Sequence, residues 1–413
     1  MHVRDDFPII KNNPEIIYFD SGATTLKPKC VIDAVNEFYT TSTSNIHRGD
    51  YDISFNVSKK YDSVRDKVAK FLNANRKEEI VFTSGSTASL NMAMEGLSHM
   101  FNKGDTILTT YLEHASNILP IFRVAKEKEL NFKYISLNED GTFNLENYKN
   151  CFDSSVKAVC ITYVSNVLGY INPIKEICEI AHENNALVLV DGAQAVPHIK
   201  VDVKDIDCDF LSFSAHKMLG PSGVGILYGK YDLLKQMNPM FLGGGANARF
   251  DKDGNVILKE VPEVFEAGTP NIEGVLALGS AIDYLTSIGM VRIQEYDNYL
   301  IKYMMDKLCK LDNVVVYNPK AEVAIASFNV KGIFAQDVGS YLNKYGICVR
   351  TGNHCAKILH NITGTDQSIR VSMYLYNTTD EIDRFVELIK ECTLEKCVGA
   401  LLWWMNNLKE KYY

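Results

Sequence analysis

Two kinds of hydrophobic pattern alternate along the chain: short continuous apolar runs and longer segments with helical spacing. Short apolar runs, of which residues 156–164 are the most continuous, are typical of parallel strands covered on both faces. Between such runs lie segments with helical spacing, as in residues 59–72, where Tyr61, Val64, Val68 and Phe71 fall on one face. Strands and helices alternate in this way from residue 79 to residue 228. The pattern predicts an α/β fold whose mostly parallel sheet is flanked by helices.

The regular alternation ends after residue 229. A long helical pattern at 291–311 is followed by strand patterns at 314–317, 323–330 and 347–350 and by helical patterns at 334–345 and 379–391. Because 413 residues exceed the size of one ordinary core, we expect two domains. The large domain would span residues 18–282, and residues 1–17 with 283–395 would form a smaller α+β domain.

Residues 396–413 would form an amphipathic C-terminal tail, since their apolar residues fall at helical spacing. Docking on the protein's own surface is the simpler interpretation of this tail. Contact with a partner or a membrane surface is the alternative.

Composition narrows the class of protein. The hydrophobic fraction of 46% and charged fraction of 23% are typical of a globular protein, and the net charge of −8 argues against nucleic acid as the main partner. No apolar run approaches the ~20 residues of a membrane span, and the N-terminus lacks signal-peptide features. The ten cysteines include no CxxC pair, so we expect reduced thiols, no metal site and a cytoplasmic protein.

Two ionisable residues follow neighbouring predicted strands. Asp191 ends the apolar run 186–190, and Lys217 lies in a Ser-Ala-His-Lys turn after the run 210–213. Ligands of open α/β sheets bind at the carboxyl ends of strands. An aspartate for a protonated pyridine nitrogen and a lysine of lowered pKa for a Schiff base are the groups that pyridoxal phosphate requires. The alternative for Lys217 is a solvated loop lysine.

A polar loop, Ser84-Gly-Ser-Thr87, lies between a predicted strand and a predicted helix at 88–99. Free amides at a helix N-terminus bind phosphate, and the hydroxyls of Ser86 and Thr87 would add donors. Simple helix capping is the alternative, although capping needs only one hydroxyl.

On these motifs the chain resembles the fold-type I pyridoxal-phosphate enzymes, and among them the class V aminotransferases, from about residue 18 to residue 390. The resemblance implies a large domain with a mostly parallel seven-stranded sheet, and a homodimer with shared active sites. It also implies the cofactor contacts: Lys217 as the covalent attachment, Asp191 at the ring nitrogen, His114 stacked on the ring, Gln194 and Asn166 near the phenolate oxygen, and Ser86, Thr87, Ser214, His216 and the neighbouring subunit's Thr269 on the phosphate.

The segment Arg350-Thr-Gly-Asn-His-Cys355-Ala resembles the motif of the Suf-type (group II) cysteine desulfurases and the selenocysteine lyases. Cys355 lies after a predicted strand among glycine and polar residues, a setting that favours a thiolate. In the resembling enzymes this cysteine takes sulfur from the substrate. The resemblance assigns substrate contacts to Arg370, as the carboxylate ligand, and to Arg350, Asn166, His47 and Ala23. Taken alone, Cys355 could be a free structural thiol.

The resemblance implies a cysteine desulfurase, a sulfurtransferase that converts L-cysteine to L-alanine. Lys217, Cys355 and His114 would be its catalytic residues. A SufE- or SufU-like acceptor protein would take the persulfide sulfur for iron–sulfur cluster assembly. Three alternatives remain: a class V aminotransferase or lyase, which has no use for Cys355, a selenocysteine lyase, and a cofactor-binding scaffold without turnover. The chain departs from the family pattern at Ala88, usually acidic, and at Ala115 and Asn353, where many relatives have a second histidine.

Overall fold

The computed structural model describes residues 3–400, apart from the side chains of residues 361 and 362. Of the predicted tail, residues 401–413 therefore lie outside the described part, and residues 394–400 are helical. The α-helices are α1 (Pro8–Asn12), α2 (Lys29–Glu37), α3 (Asp52–Phe71), α4 (Ser86–Leu97), α5 (Ala115–Lys128), α6 (Leu145–Lys149), α7 (Ile174–Glu183), α8 (Val203–Ile206), α9 (Tyr231–Leu234), α10 (Ile272–Ile288), α11 (Met290–Leu308), α12 (Ala335–Lys344), α13 (Lys357–Thr363) and α14 (Thr379–Lys390).

The strands belong to one large sheet, one smaller sheet and two short pairs. In chain order they are β1 (Ile17–Tyr18), β2 (Ile80–Thr83), β3 (Thr106–Thr110), β4 (Asn131–Ile135), β5 (Val156–Thr162), β6 (Leu187–Asp191), β7 (Phe210–Ser214), β8 (Gly225–Gly229), β9 (Asn247–Phe250), β10 (Val256–Leu258), β11 (Val314–Val316), β12 (Ile325–Val330), β13 (Ile347–Cys348), β14 (Arg350–Gly352) and β15 (Ser368–Ser372).

The large sheet has seven strands in the order β2-β8-β7-β6-β5-β3-β4. Strands β7 to β4 of this order run parallel, and β8 is antiparallel to both of its neighbours. The prediction of a mostly parallel seven-stranded sheet is therefore confirmed.

Both faces of this sheet are covered, as the continuous apolar runs predict. On β5, Val159 and Ile161 pack into a core that includes residues of α2, α3, α7 and α10. The alternate residues Ala158 and Cys160 pack into a second core with α4 and α5. The two-residue period of a strand thus divides one apolar run between two helical layers.

The smaller sheet is antiparallel, with the order β11-β12-β15-β14. A separate core beneath it contains residues of α11, α12 and α14. The expected boundary between residues 282 and 283 falls inside α10, and the division into domains stays a prediction.

The predicted strand at 347–350 is divided in the structure. β13 pairs with β1, whereas β14 pairs with β15. The chain changes partners at Val349, and this brings Arg350 directly opposite Arg370 on β15. The apolar pattern could not show this, because both halves remain extended.

Among the described helices, none is by itself long and apolar enough to cross a membrane. The pair α10 and α11 meets the length and composition criteria only together, and it is bent by 76°. Within residues 3–400, no cluster of three or more His, Cys, Asp or Glu residues could hold a metal ion.

Candidate active site

A cavity of ≈ 180 Å³ lies where strands of the large sheet end and the smaller sheet begins. Most of the residues that the sequence singled out line it: Ala23, Ser86, Thr87, His114, Asn166, Asp191, Gln194, Ser214, His216, Lys217, Arg350 and Arg370. Residues from both sheets therefore face one space.

Lys217 ends a single 3₁₀ turn, Ala215–Lys217, that directly follows β7. Burial lowers the pKa of its amine to about 8, and the positive charges of Arg370 and Arg350 act in the same direction. Asp191 opposes this shift. An amine with this pKa is neutral in part at physiological pH, which is the state that nucleophilic attack and proton removal require.

Asp191 is the last residue of β6, and its side chain is buried. Burial raises the pKa of its carboxyl group, while the Lys217 charge and the amide of Ala193, which donates to Oδ1 over 3.0 Å, hold it down. Gln194 follows closely. Its Nε2 donates to the carbonyl of Gly22 at 2.8 Å, and within the described part of the chain its Oε1 is buried without a partner.

The loop between β2 and α4 lies against β8. A Cβ on Gly225 would stand 2.4 Å from the Cα of Gly85, so the two backbones come this close only because residue 225 is a glycine. Helix α4 begins at Ser86, two residues earlier than predicted. Ser86 and Thr87 consequently lie in its first turn, where backbone amides have no helical acceptor.

Ser214 supports the same loop from β7. Its Oγ accepts the amide of Ser86 at 2.7 Å. Amides and hydroxyls at a helix N-terminus form an anion-binding site, which fits the phosphate interpretation of this loop.

His114 precedes α5 and lines the cavity. Its Nδ1 accepts the amide of Ser116 at 3.1 Å, so the proton of the neutral ring lies on Nε2. Burial, together with the charges of Lys217, Arg350 and Arg370, lowers the pKa of the ring to about 4. His114 is therefore a neutral ring at physiological pH.

Arg350 and Arg370 are direct cross-strand partners. Like charges in this position repel each other, and Arg370 is 1% exposed. Arg370 donates from Nη2 to Asp20 Oδ1 at 3.1 Å and from Nη1 to the carbonyl of Asn166 at 3.0 Å, while its Nε is buried without a partner among the described residues. Within residues 3–400, Asp20 is the one carboxylate that pairs with either arginine, which leaves positive charge for an anionic ligand.

Cys355 is exposed and lies beside the cavity. Arg350 Nη2 is 3.6 Å from its Sγ, and the charge of Cys355 influences the pKa of Lys217. Cys355 itself is not among the residues that line the cavity, but Arg350 is, so the thiol lies next to the space that Lys217 faces.

Hydrogen bonds hold the Cys355 loop in an uncommon backbone conformation. His354 and Cys355 have φ values of 52° and 58°, in the left-handed region. The carbonyl of Cys355 accepts the amide of Ala115 at 2.8 Å, and its amide donates to Asn353 Oδ1 at 3.1 Å. Asn166 Nδ2 donates to the carbonyl of His354 at 2.9 Å. Two of the family departures, Ala115 and Asn353, thus contact the cysteine directly.

His47 and Thr269 do not line the cavity. His47 lies in a second depression together with Asn45, Gly268 and Pro270. Asn45 Nδ2 is 3.4 Å from Thr269 Oγ1, and Thr269 is exposed. Within one chain, these two predicted site residues are close to each other and separate from the others.

Sequence reasoning missed several residues in and around the site, and four of them are polar. His354 lines the cavity, and its Nδ1 is buried without a partner among the described residues. Ser116 links His114 Nδ1 to Thr87 Oγ1. Asp20 forms the ion pair with Arg370, and Glu113 is buried with its pKa raised to about 7 by burial. A signal existed for His354, which lies inside the motif that begins at Arg350. Asp20 is recognised from its ion pair with Arg370. Ser116 and Glu113 are recognised only from their contacts.

Comparisons with known proteins identify the family of the chain. The model of the family described as "Aminotransferase class-V" matches residues 17–385. A probable cysteine desulfurase of Halalkalibacterium halodurans is 41% identical over 388 residues, which cover 92% of this chain and 95% of that protein. A cysteine desulfurase of Serratia proteamaculans is 40% identical over 401 residues, covering 96% and 98% of the two chains.

Solved structures are similar as well. The apo structure of a cysteine desulfurase from Thermococcus onnurineus superposes with a TM-score of 0.90 at 38% identity, covering 94% of this chain and 96% of that chain. A cysteine desulfurase of Escherichia coli gives a TM-score of 0.88 at 31% identity with the same coverages, 94% and 96%.

Proposed function

The chain belongs to the class V aminotransferase family, and on this premise we propose that it is a cysteine desulfurase, which converts L-cysteine to L-alanine and retains the sulfur on Cys355. The observation that carries the proposal is the position of Arg350. It lines the cavity that contains Lys217, and its guanidinium is 3.6 Å from Cys355 Sγ. An aminotransferase has no use for a thiol at this place.

The residues present fit pyridoxal 5′-phosphate, the cofactor of this family. Buried polar atoms without a partner in the described part of the chain include Gln194 Oε1 and Asn166 Oδ1, which a bound ligand would contact. Lys217 would bind the cofactor covalently, and Asp191 would contact its ring nitrogen. The loop at Ser86 and Thr87, together with Ser214 and His216, would bind the phosphate. When bound, the cofactor supplies an electron sink for charge that develops at the substrate α-carbon.

The protein side chains then have separate tasks. Arg370 binds the substrate carboxylate, and His114 covers the ring as a neutral side chain. Lys217 moves the proton of the α-carbon, because its lowered pKa provides a neutral amine near physiological pH.

Cys355 receives the sulfur. Its thiolate forms a bond to the substrate sulfur, the carbon–sulfur bond of the substrate breaks, and the carbon skeleton leaves as alanine. The net reaction of L-cysteine with the Cys355 thiol gives L-alanine and a Cys355 persulfide, in which all atoms and electrons are accounted for.

The experiment is to measure alanine and sulfide released from L-cysteine, with a thiol reductant as acceptor, by wild type and Cys355→Ala. We expect both products from wild type and a loss of sulfide release in the variant. Equal release by the variant would contradict the proposal, as would the absence of both products from wild type.

Selenocysteine lyase is the second candidate, since it would use the same residues. Parallel assays with L-cysteine and L-selenocysteine separate the two functions. A desulfurase turns over both substrates through Cys355, whereas a lyase specific for selenium leaves cysteine unchanged.

The active unit that we propose is a homodimer with shared sites. Its support is a group of exposed apolar side chains around the β9–β10 hairpin: Phe241 at 60% exposure, Leu242 at 66%, Phe250 at 70% and Ile257 at 59%. Burial of such a surface drives association. His47 and Thr269 would then act on the partner subunit's site rather than on their own.

Mixing two inactive variants tests the shared site. In a dimer of Lys217→Ala with Thr269→Asp, one site has both defects and the other has neither. We expect activity to return on mixing under conditions of subunit exchange. Two variants that stay inactive after exchange, or a wild type that is monomeric by light scattering, would contradict the proposal.

The exposure of Cys355 also suits transfer of its persulfide sulfur to an acceptor protein. We propose a SufE- or SufU-like acceptor, within a Suf system for iron–sulfur cluster assembly. All ten cysteines are free thiols, which supports a reducing compartment such as the cytoplasm.

A further inference from the structure

The turn that bears Lys217 is held from outside the large sheet by a short stretch before α2, here called the anchor segment (residues 24–27). Several hydrogen bonds from the anchor segment converge on one atom, the carbonyl oxygen of His216. This oxygen belongs to the peptide bond between His216 and Lys217. That oxygen lies 3.0 Å from the amide of Thr25, 2.9 Å from Lys27 Nζ, and 3.1 Å from the hydroxyls of both Thr24 and Thr25.

The anchor segment also holds the other side of the turn. Thr25 Oγ1 accepts the amide of Leu219 at 2.9 Å. Leu219 has a φ of 67°, in the left-handed region, and is fully buried. A branched side chain adopts this conformation only where the surrounding structure enforces it, and such residues concentrate at functional sites.

Burial of the Lys27 ammonium group is energetically unfavourable, and the packing of this segment does not require a lysine. Its ammonium group is partly buried, and within the described residues burial is the one cause that shifts its pKa, which it lowers to about 7. Its acceptors are backbone carbonyls and hydroxyls rather than carboxylates. Burial of a charged group without a counterion is unfavourable, and an apolar side chain would avoid it. Lys27 supplies instead a long donor that reaches the carbonyl before Lys217.

We propose that Thr25 and Lys27 are positioning residues for Lys217, which fix the backbone on both sides of the lysine and thereby aim its amine into the cavity. The inference rests on the proposed function, because it assigns these residues to the reaction that Lys217 performs. Neither side chain lines the cavity. Their effect is therefore transmitted through the backbone from residue 216 to residue 219.

The test compares isosteric and conservative variants. Thr25→Val removes the hydroxyl and keeps the shape, Thr25→Ser keeps the hydroxyl, and Lys27→Met removes the donor. Lys29→Met is the matched control, because Lys29 is an exposed lysine two residues away that pairs with Asp33. Each holoenzyme is titrated with pH while the absorbance of bound pyridoxal phosphate is recorded, and kcat and KM for L-cysteine are measured.

We expect Thr25→Val and Lys27→Met to shift the midpoint of the spectral titration and to lower kcat by about ten-fold to a hundred-fold, with KM changed much less, since misplacement of a catalytic group by about 1 Å has effects of this order. Thr25→Ser and Lys29→Met should resemble wild type. A spectrum and kcat like wild type in both Thr25→Val and Lys27→Met would overturn the inference. So would a Thr25→Ser as defective as Thr25→Val, because that result would assign the effect to packing.

The titration does not depend on turnover. If wild type released no alanine from cysteine while the midpoint still moved in Thr25→Val, the proposed function would fail and the positioning role would stand.

Discussion

The lysine half and the cysteine half of the site contrast in how they are built. Lys217 ends the turn that follows the parallel strand β7 and is half-buried at the wall of the cavity, and burial is the main cause of its lowered pKa. Cys355 lies on an exposed loop whose backbone occupies the left-handed region at two successive residues. The lowered pKa of the Lys217 amine depends on partial exclusion of water, whereas the Cys355 thiol is accessible to solvent.

This difference fits the two tasks that we propose for Lys217 and Cys355. A lysine amine must lose its proton near neutral pH, which requires a low dielectric. A sulfur carrier must meet the substrate on one side and an acceptor on the other, so it cannot be enclosed. The pairing of Arg350 with Arg370 connects the halves, because the first contacts Cys355 Sγ and the second faces the substrate cavity.

The largest expected effect is at the lysine. Lys217→Ala should lower alanine formation by roughly 10³-fold or more and abolish exchange of the substrate α-proton with deuterium oxide, because general base catalysis contributes about 10²–10⁴-fold and nucleophilic attachment is lost as well. Proton exchange is followed by NMR. The control is Lys200→Ala, because Lys200 is an exposed lysine that does not line the cavity. Exchange at the wild-type rate in Lys217→Ala would contradict the assignment.

Cys355→Ala should abolish the reaction of the cysteine half and leave that of the lysine half intact. Sulfide release should fall by roughly 10²-fold or more, while α-proton exchange continues, since the lysine half is intact. Cys309→Ala is the matched control, because Cys309 is also an exposed free thiol. Loss of proton exchange in Cys355→Ala would show that the halves are not separable.

Arg370→Met should act mainly on substrate binding. A hydrogen bond to a charged group contributes about 1.5–3 kcal/mol, so we expect KM for cysteine to rise by roughly ten-fold to a hundred-fold, measured by steady-state alanine formation. Asp20→Asn removes the ion pair but keeps the guanidinium, and its effect should be smaller. An unchanged KM in Arg370→Met would remove Arg370 from the carboxylate site.

The pH dependence should follow Lys217. Because the neutral amine is the base and its pKa is lowered to about 8, α-proton exchange by Cys355→Ala should increase with pH and level off above that value. The positive charge of Arg350 helps to lower this pKa, so Arg350→Met should move the midpoint to higher pH. A midpoint that moves to lower pH would contradict the assignment.

The smallest expected effect is at Asn353. Asn353→Ala removes the acceptor of the Cys355 amide, and a typical hydrogen bond contributes about 1 kcal/mol. We expect a several-fold change in the rate at which iodoacetamide alkylates Cys355 in the apoenzyme, with α-proton exchange unchanged. Alkylation at the wild-type rate would show that this bond does not hold the loop.

The lysine half of the site could be predicted from the sequence better than the contacts around the cysteine. Burial periodicity located the strands of the large sheet and the carboxyl-end positions of Asp191 and Lys217, because a buried parallel strand leaves a continuous apolar run.

Contacts between distant segments could not be predicted in this way. The pairing of Arg350 with Arg370 depends on a change of sheet at Val349, and the contact of Ala115 with the Cys355 carbonyl joins residues 240 positions apart. The hold of Thr25 on the Lys217 turn is of the same kind. Such hydrogen bonds use backbone atoms, which every residue has, so no residue type marks them.

The central claim is that Lys217 and Cys355 act on one substrate molecule. Its most direct test is mass spectrometry of the Cys355 peptide after the holoenzyme reacts with one equivalent of L-cysteine, without reductant. We predict a gain of one sulfur atom on Cys355 in wild type and none in Lys217→Ala. A sulfur gain on Cys355 in Lys217→Ala, or on a different cysteine in wild type, would contradict the account.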